Sequence, residues 1–141
     1  MKILIASDHA GFELKEYIKS SLSAKFDFID LGTNSDESVD YPDFGKKLAA
    51  EIENKTAEFG IVICGSGIGI SIAANRNKAV RAALCLTEEM ALLARKHNDA
   101  NVLALGARLT PVQTNLNIIE KFFSTSFDGG RHSERVNKLG C

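Results

Sequence analysis

Residues 60–69 read GIVICGSGIG, in which a short apolar run leads directly into a cysteine and a turn with three closely spaced glycines. An apolar run bounded by turn residues is typical of a buried β-strand. Residues 70–75 suit a helix, whose first amide groups have no partner within the helix and favour an anion. We therefore interpret the stretch as a strand that delivers the Cys64 thiol into an anion-binding turn, where a thiolate is favoured.

Similar strand-like runs recur along the chain, and helical patterns separate them. The runs cover residues 3–6, 26–31, 60–63, 79–84 and 101–105. Between them, apolar residues recur at steps of three and four, which is the period of a helix that buries one face. Alternating strands and helices predict parallel strands with right-handed crossovers. We therefore predict an α/β fold, a three-layer α/β/α sandwich around a parallel, Rossmann-like sheet of about five strands.

Length and composition exclude several classes of protein. With 141 residues we predict a single domain over residues 1–141, ending in a basic tail helix from about residue 129. No apolar run approaches the ~20 residues of a membrane span. A net charge of -1 argues against a general nucleic-acid binder. The first residues do not form a signal peptide, so we expect a cytoplasmic protein that binds neither membrane nor nucleic acid.

The chain has three cysteines, an odd number without metal-ligand spacing, which predicts free thiols in a reducing compartment and no metal site. Cys85 ends an apolar run without adjacent glycines, so we assign it a structural role. Cys141 is the last residue and is expected to be mobile.

Ligands gather at the carboxyl ends of the strands in open parallel sheets. That rule selects residues 8–11 and the turn at residues 64–69, so Asp8, His9 and Cys64 are predicted to share one crevice. The turn matches neither a dinucleotide fingerprint nor a P-loop nor a cysteine phosphatase loop. Two interpretations stay open from the residues alone. One is a backbone nest for an oxyanion or phosphate beside Cys64, and the other is a tight turn with an inert thiol.

His97 lies between a helix and the fifth predicted strand, near the amino end of that strand. A strand of ~5 residues at ~3.3 Å each separates it by ~15 Å or more from the carboxyl-end crevice. A catalytic His97 therefore requires a second subunit; otherwise it is a surface histidine near a helix end.

Arg131 and Arg135 are four residues apart, so on a helix they can grip one anion together, or they can pair with nearby acids. Arg108, after the fifth strand, can join them. His132 has the weakest functional case of the three histidines.

Five blocks of the chain resemble, in order and spacing, the type B ribose-5-phosphate isomerases of the ribose/galactose isomerase family. The blocks are residues 7–11, 40–42, 64–75, 97–99 and 129–132. The resemblance runs from Met1 to about Val136. It implies an aldose-ketose isomerase of the pentose phosphate pathway that interconverts ribose 5-phosphate and ribulose 5-phosphate without metal or cofactor. It also implies a homodimer or homotetramer with active sites at the subunit interface.

The resemblance assigns roles to individual residues. It implies that Cys64 transfers the proton through a cis-enediolate and that the amides of the turn, with the Ser66 hydroxyl, hold the oxyanion. It also implies that His97 assists opening of the furanose ring, with Asp8 on the sugar hydroxyls or the ring oxygen. The implied sugar contacts are Gly65, Gly67, Gly69, Tyr41 and Asn98, and the implied phosphate clamp is His9, Arg108, Arg131 and Arg135. Some members use a glutamate at the position of Ile70 as the base, so isoleucine there leaves this role to Cys64.

Two alternatives remain at this stage. One is an isomerase of a six-carbon sugar phosphate, allose 6-phosphate or galactose 6-phosphate. The related galactose-6-phosphate isomerases are built from two different subunits, whereas this chain holds both Cys64 and His97, which favours a homo-oligomer. The other is a non-catalytic sugar-phosphate sensor, which would need the arginines and not the thiol.

Overall fold

The computed structural model describes residues 1–140, and the prediction for Cys141 lies outside the described residues. No helix among the described residues is long and apolar enough to cross a membrane. The strands are β1 (Lys2–Ser7), β2 (Asp27–Asp30), β3 (Phe59–Cys64), β4 (Ala82–Leu84) and β5 (Val102–Gly106). The helices are α1 (Phe12–Leu22), α2 (Tyr41–Glu53), α3 (Ile68–Ala74), α4 (Glu88–Asn98), α5 (Val112–Phe123) and α6 (Arg131–Leu139).

The five strands form one sheet in the order β2-β1-β3-β5-β4, and every pair is parallel. The fourth strand is shorter than the predicted residues 79–84. The side chains of Asn77 and Asn101 explain this, because they accept hydrogen bonds from the amides of Ala79 and Arg81 at 2.9 and 2.7 Å. Side chains therefore take the amides of Ala79 and Arg81, whereas the Arg81 carbonyl still accepts a hydrogen bond from the Asn101 amide at 3.1 Å.

Both faces of the sheet are buried, which confirms the three-layer sandwich. Ile61 and Ile63 of β3 pack on the side of α1, α4 and α5. Val62 and Cys64 alternate with them and pack on the side of α2 and α3. Side chains of successive strand residues point to opposite faces, so a continuous apolar run is what a strand covered on both faces requires.

Helix α6 lies outside these two layers and has no buried residue. It follows Gly129 and Gly130, whose φ angles of 66° and 56° are accessible to glycine at little cost. This bend turns the chain so that α6 packs against α4. The basic helix predicted from about residue 129 thus begins at Arg131.

A buried ion pair joins α1 to the end of β2. The fully buried Lys15 places Nζ 2.6 Å from Oδ2 of Asp30, and Nζ of Lys19 lies 2.7 Å from the same oxygen. Burial of Asp30 opposes its ionisation, but the hydrogen bonds from the two lysines and the Gly32 amide outweigh it and lower the pKa of Asp30.

The same carboxylate fixes the end of β1. Asp30 Oδ1 accepts a hydrogen bond from the Gly32 amide at 2.8 Å, and the Gly32 carbonyl accepts one from the Ser7 amide at 2.8 Å. Ser7 is followed directly by Asp8, one of the predicted site residues. The ion pair therefore helps to position the loop after β1.

We predict that Asp30→Asn lowers the free energy of unfolding by about 1–3 kcal/mol at neutral pH, because the buried Lys15 loses its shorter carboxylate contact and keeps only Glu16 Oε1 at 2.9 Å. The difference from wild type should shrink as pH falls below 3.8, the ordinary pKa of an aspartate, since the lowered pKa means that Asp30 stabilises the fold only while ionised. Urea unfolding at several pH values measures this. Asp27→Asn, at the exposed start of the same strand, is the control, and equal losses in both variants would contradict the prediction.

Candidate active site

A pocket of about 680 Å³ opens at the carboxyl edge of the sheet, where β1 and β3 end. The strand order reverses here, because β2 lies on one side of β1 and β3 on the other. Loops diverge at such a switch point and leave a crevice. Eight predicted site residues line the pocket: Asp8, His9, Tyr41, Cys64, Gly65, Ser66, Gly69 and Arg108.

Cys64 is the last residue of β3, and its side chain is buried. Its Sγ accepts a hydrogen bond from the Gly67 amide at 3.1 Å. An N–H donor stabilises negative charge on the sulfur. The thiol also lines the pocket.

Gly67 makes this contact possible. Its φ is +77°, and a Cβ at this position would lie 2.6 Å from Cδ1 of Leu84 and 2.8 Å from the carbonyl carbon of Leu105. Only glycine combines a left-handed backbone with this close approach. The turn can therefore fold back and direct an amide at the sulfur.

The turn also presents hydrogen-bond donors. Ser66 Oγ accepts a hydrogen bond from the Ile68 amide at 3.1 Å, which leaves the hydroxyl proton free to donate. Among residues 1–140, the amides of Gly65 and Ser66 donate to no protein acceptor. These donors are available to an oxyanion beside Cys64.

Asp8 and His9 enter the pocket from the loop after β1. Asp8 is buried, and its Oδ1 accepts a hydrogen bond from the Gly11 amide at 3.0 Å. Nδ1 of His9 lies 3.1 Å from the amide nitrogen and 3.2 Å from the carbonyl oxygen of Val39. This contact orients the imidazole and leaves Nε2 for a ligand.

Tyr41 and Arg108 form two walls of the pocket. The Tyr41 ring packs so closely on Gly69 that a Cβ there would lie 2.5 Å from its Cε1 atom. The Arg108 side chain runs beside Gly65, and its amide donates to the Gly65 carbonyl at 2.9 Å.

Gly67 lies in the turn beside Cys64, whereas four other predicted residues are not brought to this pocket within one chain. His97 and Asn98 are the last two residues of α4 rather than part of a loop, which corrects the predicted position of His97. They precede the amino end of β5, whereas Cys64 pairs with Gly106 at its carboxyl end. Arg131 and Arg135 lie on α6, which packs against α4. One chain therefore carries two separate groups of predicted site residues.

His132 makes a contact with His97 that the sequence did not indicate. Its ring stacks on His97 with 4.4 Å between ring centroids and 13° between the planes. Partial desolvation, followed by the neighbouring charges of His97 and Arg131, lowers the pKa of His132. The only signal in the sequence is the proximity of His132 to the two arginines, since nothing local shows that residues 97 and 132 meet.

Cys85 is buried in the core on the other face of the sheet, away from the pocket. Burial raises the pKa of this thiol to about 12. The predicted structural role of Cys85 is confirmed.

Comparison with known proteins identifies the family. The family model described as Ribose/Galactose Isomerase matches residues 3–139. A Thermotoga maritima ribose 5-phosphate isomerase structure is 54% identical, with a TM-score of 0.96 over 99% of this chain and 97% of the other. The Clostridium thermocellum ribose-5-phosphate isomerase B is 49% identical, with a TM-score of 0.97 over 99% and 95%.

A third structure is ribose-5-phosphate isomerase B from Mycoplasma genitalium with bound ribulose-5-phosphate. It is 44% identical, with a TM-score of 0.92 over 98% of this chain and 93% of the other. Family model, sequence and fold agree over nearly the whole length, and the chain belongs to the ribose/galactose isomerase family.

Proposed function

We propose that this chain is an aldose-ketose isomerase that interconverts ribose 5-phosphate and ribulose 5-phosphate, with Cys64 as the proton-transfer base. The observation that carries the proposal is the Cys64 sulfur, which lines the pocket with the Gly67 amide 3.1 Å away. Relatives named ribose-5-phosphate isomerase B, one of them with ribulose-5-phosphate bound, support the substrate. The reaction belongs to the pentose phosphate pathway and takes place in the cytoplasm.

The chemistry is a proton transfer between neighbouring carbons. The Cys64 thiolate removes the proton from C2 of the open-chain aldose, and the electron pair of that bond forms the C1–C2 double bond of an enediolate. The proton of the C2 hydroxyl passes to the C1 oxygen, the thiol returns a proton to C1, and the carbonyl re-forms at C2. The charge that develops on oxygen is held by the free amides of Gly65 and Ser66 and by the Ser66 hydroxyl, donors worth roughly 3 kcal/mol each in such sites.

Residue 70, which directly follows the turn, is an isoleucine rather than a glutamate. Ile70 is fully buried and belongs to the apolar layer between the sheet and α2 and α3. An isoleucine cannot transfer a proton, so in this chain the thiol carries the step alone.

The phosphate is bound by His9 and Arg108 of the pocket, together with Arg131 and Arg135. The arginines are the residues suited to bidentate contacts with phosphate oxygens. Arg131 and Arg135 are four residues apart on α6, so both lie on one face of the helix.

A second copy of the chain supplies the remaining substrate contacts, which are His97, Asn98, Arg131 and Arg135. We propose a homodimer in which each pocket is completed by the α4 and α6 ends of its partner, with the homotetramer as a further assembly. Support comes from the apolar rim of the pocket, where Ile68, Ile72 and Leu109 are 51%, 50% and 66% exposed. Such a cluster of exposed apolar side chains marks an interaction surface. His97 then assists opening of the furanose ring, with Asp8 on the sugar hydroxyls.

We predict that Cys64→Ala lowers kcat for ribose 5-phosphate by about 10²–10⁴-fold, the usual contribution of a positioned base, with little change in the Kd of the sugar phosphate. Assays on pentose and hexose phosphates, together with isothermal titration, measure both quantities. If wild type prefers allose 6-phosphate or galactose 6-phosphate, that hexose phosphate replaces ribose 5-phosphate as the proposed substrate. If wild type binds sugar phosphates and turns over none of them, the protein is a sensor.

Cys85→Ala is the matched control, because it removes the second buried thiol, which lies on the other face of the sheet and does not line the pocket. It should retain kcat. Full activity of Cys64→Ala, or equal losses in both variants, would contradict the role of Cys64.

A mixing experiment tests the shared site. Cys64→Ala chains and His97→Asn chains are each expected to be inactive as homo-oligomers, whereas subunit exchange should restore part of the activity, because some mixed pockets contain both wild-type residues. Exchange is verified with differently tagged chains. If verified hetero-oligomers show no recovery, the pocket is not shared between chains.

A further inference from the structure

We propose that His97, Asp128 and His132 form a binding site for a transition-metal dication, with Zn²⁺ as the best-suited ion, and that the bound metal inhibits the isomerase. One ligand atom from each side chain lies within 4.8 Å of the other two. Two imidazoles and one carboxylate are a donor set that zinc accepts, with a fourth position left for water. Magnesium prefers oxygen ligands and does not suit this site.

The backbone already holds the three residues together. The Asp128 amide donates to the Lys96 carbonyl at 3.1 Å, which fixes the segment before α6 against the end of α4. The His132 amide donates to the Gly129 carbonyl at 3.1 Å in the first turn after the glycine bend. The ligands therefore come from two separate parts of the chain whose relative position the fold determines.

Metal binding requires a change in the imidazole stack. The lone pair of an imidazole nitrogen lies in the ring plane, so two parallel rings cannot direct their nitrogens at one ion. Zinc bonds of ~2.0–2.1 Å place tetrahedral ligand atoms roughly 3.3 Å apart. Both rings are only partly buried. Rotation about the side-chain bonds can therefore break the parallel stack and direct one nitrogen of each ring at an ion beside Asp128, without moving the backbone.

The surrounding charge limits the affinity. Arg131 and Arg135 are cations on the helix that carries His132, and one carboxylate offsets only part of their repulsion. We therefore expect weaker binding than at a structural zinc site with four protein ligands.

The inhibitory effect rests on the proposed function, whereas metal binding does not. A metal bound to the imidazole of His97 occupies the nitrogen lone pair that proton transfer during ring opening uses. Zn²⁺ should therefore slow turnover of ribose 5-phosphate, and a chelator should reverse the effect.

Zn²⁺ alone is titrated into the substrate-free protein, with a competing chromogenic chelator as the readout. Wild type should bind one Zn²⁺ per chain and no Mg²⁺. Asp128→Asn and His132→Asn should each weaken the affinity for Zn²⁺ roughly 10-fold or more, because mutation of a residue that only hydrogen-bonds to a zinc ligand already lowers metal affinity by about 10-fold. Cys64→Ala should bind as wild type does. Co²⁺ in place of Zn²⁺ should show no thiolate-to-metal charge-transfer band.

Absence of Zn²⁺ binding by wild type, or unchanged binding in both Asp128→Asn and His132→Asn, would overturn the site. Loss of binding in Cys64→Ala would move the metal to the thiol and overturn it as well. If the site binds Zn²⁺ and the isomerase rate does not fall, the inhibitory role is wrong. If no sugar phosphate is isomerised at all, the proposed function fails, while the binding data still decide the metal site.

Discussion

The pairing of β1 with β3 is the constraint on which the site depends. Ser7 lies opposite Ile63 in the register of the two strands, and the Asp8 amide donates to the Ile63 carbonyl at 3.2 Å. This pairing places the loop that carries Asp8 and His9 beside the turn after Cys64. Because both strands are buried on both faces, a shift of one residue would move every side chain into the opposite layer and disrupt the close packing of both cores. The geometry of the pocket therefore follows from the packing of the sheet.

Two thiols of the chain illustrate how position determines chemistry. Cys64 and Cys85 are both buried; Cys64 is the last residue of β3, and Cys85 directly follows β4. Cys64 faces a turn that directs an amide at its sulfur, whereas Cys85 has only apolar packing and a distant carbonyl, Ala83 O at 3.7 Å. The difference arises from the glycines after Cys64, since Gly67 permits the backbone to return toward the sulfur.

Much of this structure could be predicted from the sequence. The period of the apolar residues identified the layers, and the rule for strand ends brought Asp8, His9 and Cys64 together. The shortened fourth strand could not be predicted, because it depends on Asn101 reaching back to the Arg81 amide. The stack of His97 on His132 was missed for the same reason, since it depends on how the Gly129 bend packs α6 against α4. Contacts between side chains distant in sequence leave no periodic signal.

In the proposed reaction, the Cys64 sulfur removes the C2 proton of ribose 5-phosphate. The most direct measurement is the incorporation of solvent deuterium into the sugar phosphate in D₂O, followed by proton NMR with wild type and with Cys64→Ala. Wild type should place deuterium at C1 of ribulose 5-phosphate, whereas Cys64→Ala should bind the sugar phosphate and incorporate deuterium at least about 100-fold more slowly. Deuterium incorporation by Cys64→Ala at the wild-type rate would show that Cys64 is not the base.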